Sequence, residues 1–73
     1  MEVMKMLNTR KIKGRMAELG LNQKDVAEAL DIAMPTVSQK INGKRPVSLE
    51  EAVRLARLLK IENSNFSDYF FTL

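Results

Sequence analysis

The chain of 73 residues contains no cysteine, no histidine and no tryptophan. Disulfides and the usual zinc sites are therefore excluded, and the absence of cysteine fits a reducing compartment. Without His or Cys, catalysis would need a carboxylate pair in a pocket or an activated serine or lysine. Ser48 and Ser64 fall where helix caps are needed and Ser38 at an exposed helical position, so we expect no enzyme. The three glycines are scattered, which leaves no phosphate-cradling loop. No apolar run approaches the roughly 20 residues of a membrane span, and no cleavable signal pattern opens the chain. We expect a soluble, cytoplasmic protein without metal or cofactor. Aromatic residues are scarce too, with three Phe and one Tyr. Single-stranded RNA recognition, which favours stacking aromatics on a basic face, fits poorly.

A chain of this length forms one domain, near the size below which cores need staples. Its stability must come from well-formed helices packed through Leu, Val, Ile, Ala and Met. The formal charge of +3 is unevenly spread. From Lys5 to Arg45 nine cations accompany four anions, whereas from Pro46 onward three cations accompany four anions. A polyanionic partner would bind the first part.

Local signals divide the chain into five helices. Met1 to Leu7 has no helical period and is expected to be extended or frayed, with Leu7 packed down. Asn8 caps a first helix over about 9–19, in which Ile12, Met16 and Leu19 form one stripe, and Gly20 ends it. Asn22 caps a second over 23–30, with Val26, Ala27 and Leu30 on one face. Asp31 then sits where the backbone must turn sharply. Pro35 opens a third helix over 35–42, since its fixed φ is already helical, and Asn42-Gly43 closes it. Ser48 opens a fourth over 49–60. Leu49, Ala52, Val53, Ala56 and Leu59 give that helix a wide apolar face, flanked by Leu55 and Leu58. Asn63-Ser64 caps a last helix over 64–71, whose Phe66, Tyr69 and Phe70 would cover the flanking row. Three starts share a hydrophobic-staple spacing, namely Leu7 with Ile12, Leu21 with Val26 and Val47 with Ala52. Ser48 and Glu51 also have capping-box spacing.

Helices two and three, closed by so short a turn, make a helix-turn-helix that presents its second helix outward. With Val37 and Ile41 inward, about 100° per residue puts Pro35, Gln39 and Asn42 on the opposite face, with Thr36 beside them. In a major groove, Gln39 would pair with adenine N6 and N7, while Pro35 and the Thr36 methyl would meet a thymine methyl. Lys40 lies at the edge, within reach of a phosphate or a guanine. Gln23, at the start of the preceding helix, would face a phosphate with the help of the helix dipole. Asn42, Lys44 and Arg45 would flank the reading helix as phosphate contacts. Lys11, Lys13 and Arg15 could do so from helix one, or simply be solvated.

From Leu7 to about Leu59 the chain resembles the Cro/CI-like (XRE-type, lambda repressor-like) helix-turn-helix proteins of bacteria and their phages. The matching residues are Leu21-Asn22-Gln23, Val26-Ala27, Leu30, Thr36-Val37-Ser38-Gln39 and Asn42-Gly43-Lys44-Arg45-Pro46. The turn carries Asp31 where glycine is usual, and Lys40 stands where an apolar residue is usual. The resemblance implies an all-α, five-helix DNA-binding fold. It also implies base reading by the N-terminal part of the third helix and phosphate binding by the glutamine that opens the second. Those roles fall on Met34, Pro35, Thr36 and Gln39, and on Gln23. The expected partner is a double-stranded DNA operator. The chain, if complete, would be a Cro-sized repressor of a phage or mobile element. It would bind as a homodimer, for which Phe70, Phe71, Leu73 and helices four and five are the candidate contact. Core is nonetheless the favoured place for Phe66 and Phe70, and only Phe71 and Leu73 stay open between core and dimer patch. The competing expectation is an antitoxin-like or anti-repressor module that holds a protein partner with its apolar tail.

Overall fold

Asn8, Asn22 and Ser48 each adopt an extended backbone, and each side-chain oxygen accepts the N–H three residues on. They start α1 (Thr9–Leu19), α2 (Gln23–Leu30) and α4 (Leu49–Leu58). Ser48 and Glu51 form the expected capping box, and Asn22 with Asp25 forms a second one. The computed structural model describes residues 7–70, so the expectations for the segment before Leu7 and for Phe71 and Leu73 lie outside the described residues.

α1, α2 and α4 also end alike. Gly20, Asp31 and Lys60 are all left-handed, at φ 69, 58 and 57. The next residue's N–H then reaches back into the final turn, as in Leu21 to Met16 O, Ile32 to Ala27 O and Ile61 to Ala56 O. Leu21, Ile32 and Ile61 are half-buried against the core, the apolar contact that accompanies such endings.

The fold is all-α. α2 packs on both α3 (Met34–Ile41) and α4, while α1 packs on α3 and on the short α5 (Phe66–Tyr69). α3 starts one residue before Pro35, with Ala33 as an extended cap that has no side-chain bond. Proline fits the second position as well, because N–H groups throughout a helix's first turn lack internal partners. α4 stops at Leu58 because Lys60 turns left-handed, short of the expected Lys60 boundary. The last segment is a 3-10 turn (Asn63–Asn65) followed by α5, with no side-chain cap at Asn63-Ser64.

The apolar face of α4 is rotated from the expected one. Ala52, Leu55, Ala56 and Leu59 are buried, whereas Leu49 is 53% and Val53 37% exposed. Leu55 is thus central rather than flanking. The four buried residues follow an i, i+3, i+4, i+7 pattern that fills one stripe toward α2, and Leu49 and Val53 fall to its side. Phe70, fully buried, turns in on an extended backbone after α5 and stacks on Phe66 at 4.6 Å. The backbone holds it there, because Asn8 N–H donates to Tyr69 O at 2.9 Å and Asn8 Nδ2 to Asp68 O at 3.2 Å. Phe70 therefore belongs to the core, the place favoured for it over a dimer patch.

Gly14 lies mid-α1 and exposed, and a Cβ there would meet nothing within 4 Å. Gly14→Ala should raise stability by about 0.5–1 kcal/mol, because glycine loses more chain entropy in a helix. Urea denaturation followed by circular dichroism checks this.

Candidate nucleic-acid interface

The turn at Asp31 sets which way α3 faces. Val37 and Ile41 are buried, and the opposite side carries Pro35 and Gln39 in the open, with Thr36 half-exposed beside them; Met34, 47% exposed, lies on the side of α3 toward the turn and α2. Gln23 stands half-exposed at the first position of α2, where N–H groups lack helical partners. An open groove lined by Lys24, Glu28, Asp31 and Met34 among others runs beside the turn.

After α3 the chain doubles back. Asn42 N–H donates to Ser38 O, Gly43 N–H to Lys40 O, and Lys44 N–H to Gln39 O at 2.8 Å. Gly43, at φ 76, makes this reversal without side-chain strain. Lys44 and Arg45 are exposed beside α3, and Arg45 Nη1 donates to Gln39 Oε1 at 3.3 Å.

Several expected contacts are engaged elsewhere. Lys40, expected at the edge of the outward face, has a side chain only 12% exposed, and its ammonium lies 2.6 Å from Glu51 Oε1. It also donates to Pro46 O, so it clamps the loop to the start of α4. Arg15 donates through Nε to Leu59 O at 2.8 Å and through Nη2 to Lys60 O, and pairs with Glu18. It supplies donors to the open carbonyls at the end of α4, where cations are favoured. Lys11 lies over the Tyr69 ring, 5.7 Å from its centre. Asn42 turns its amide back onto Ser38 O at 2.8 Å. Spacing marks these residues as cationic or polar and surface-facing, but the partners that hold Lys40, Arg15 and Lys11 include groups on other elements, and Asn42 folds back on its own helix.

Glu51 is the nodal carboxylate. Burial works against its charge, but bonds from Lys40 and the Ser48 N–H outweigh it and hold the carboxyl below the ordinary glutamate range. A lowered folded pKa stabilises the fold above the unfolded value, about 4.3, and that contribution is lost as pH falls through the folded value.

The fold and this arrangement define a small, all-α, lambda repressor-like DNA-binding domain. Residues 12–62 match the Helix-turn-helix family, so the chain belongs to that family, in its Cro/CI-type form, and is a DNA-binding transcription regulator. Neither a curated protein nor a solved structure matches the chain significantly. Among the described residues, no cluster of acidic side chains could hold a metal ion, and no helix is long and apolar enough to cross a membrane.

Glu51→Gln should lower stability at neutral pH and leave it nearly unchanged at pH below the folded carboxylate's titration. Denaturation of both proteins across the acid range checks it; parallel pH profiles would exclude the ion pair as the cause.

Proposed function

We propose that the protein is a cytoplasmic, homodimeric repressor of phage or mobile-element type that reads the DNA major groove with α3. The observation that carries this is the outward face of α3. Gln39 lies exposed on it, short-chained Pro35 and Thr36 stand beside it, and the Lys44-Arg45 loop adjoins it. Met34, Pro35, Thr36 and Gln39 meet base edges, the last three with the groups expected for thymine methyls and polar base atoms. Gln23 and Lys44 meet phosphates on either side and set the register. Two protomers bind a two-fold operator. Leu49 and Val53, one turn apart and exposed on α4, support a contact between copies through that helix.

Selection from random duplex DNA at about 0.15 M salt tests the reading. The expected product is a two-fold motif with half-sites about one helical turn apart, and salt-sensitive background without a motif would overturn it. Gln39→Ala should weaken the selected site by about 1–3 kcal/mol and random DNA little. Lys44→Ala should weaken both alike and reduce the salt slope by about one. Val53→Glu should convert a dimer to monomers in sedimentation analysis with helical content intact; an unchanged sedimentation coefficient would place the contact elsewhere.

A further inference from the structure

Arg45 comes four residues after the end of α3, yet its guanidinium returns alongside that helix. Gly43 reverses the chain, Lys44 N–H fastens the loop to the Gln39 carbonyl, and Arg45 Nη1 donates to Gln39 Oε1. Both side chains are exposed on the face assigned to the groove.

This contact changes what Gln39 offers to a base. A glutamine recognises adenine by accepting from N6 and donating to N7, which requires its carbonyl oxygen. Here that oxygen already accepts from Arg45, which takes one of its two lone pairs, while the amide NH2 remains as a donor for a base. The remaining N–H groups of the guanidinium are donors as well. An adenine amino group would have to share the oxygen with a cation and bring its own N–H groups against other donors. Guanine presents acceptors at both O6 and N7, the pattern that an all-donor pair satisfies. The planar fork of arginine also suits a two-acceptor edge. Lys40, the neighbouring cation on α3, is committed to Glu51 and Pro46 O and does not compete.

We infer that Gln39 and Arg45 act together to read a guanine, with Arg45 contacting a base rather than only a phosphate. The inference rests on the proposed major-groove reading of α3. Its test is selection of bound duplexes by the wild-type chain, Gln39→Ala and Arg45→Ala. The position whose preference is lost in Gln39→Ala identifies the base concerned. The wild type should prefer guanine there over adenine by about tenfold. Arg45→Ala frees the Gln39 oxygen, so that preference should vanish or shift to adenine while the rest of the motif stays the same. Adenine at that position in the wild type would overturn the inference and leave the proposed function standing. So would uniform weakening of Arg45→Ala with an unaltered motif, the result for a phosphate contact, or a Gln39→Ala motif identical to the wild type. Recovery of no motif by the wild type would overturn both.

Discussion

The left-handed turn at Asp31 is the constraint on which the outward face of α3 depends. It stops α2 at Leu30 and leaves three residues before Met34 begins α3. Only with that reversal do Val37 and Ile41 reach the interior while Gln39 faces water. A side chain in this conformation costs energy, although aspartate is among the residues that bear it best. Ile32 offsets part of the cost, because its N–H closes the end of α2 on Ala27 O and its side chain packs against the core.

The positive charge of the chain does two jobs. Lys44 and Arg45 lie exposed just past α3, where their charge is open to a polyanionic partner. Arg15, Lys40 and Lys11 instead hold elements together, and each acts on a group in the C-terminal part, namely the end of α4, Glu51 or Tyr69. Lys40 and Glu51 are the most consequential pair, since they join the end of α3 to the start of α4 and so brace the loop carrying Lys44 and Arg45. A sum of charges by segment therefore overstates how much of the excess is available to DNA.

With so few aromatics, the domain closes its core by chain path as much as by bulk. Phe70 is delivered to the interior by backbone bonds between α5 and the start of α1, which bring the two ends of the described chain together. α4 accordingly needs only its narrow stripe of Ala52, Leu55, Ala56 and Leu59 for burial. Leu49 and Val53 are left on the outside, beside the ion pair of Glu50 and Arg54.

The residues by themselves determined the starts of α1, α2 and α4, the helix-turn-helix and the inward pair Val37 and Ile41, because caps, staples and helical period act over three or four residues. Asp25 could have been read the same way, since Asn22 with an acid three residues later is a capping box. Tertiary structure decided which cations remain available, which side of α4 is buried and by what path Phe70 reaches the core. It also decided that Arg45 bonds to Gln39. These outcomes depend on how one helix lies against another and how a loop returns. The partners are distant in sequence, 44 residues apart for Arg15 and Leu59 and 11 for Lys40 and Glu51, and no local spacing encodes such pairs.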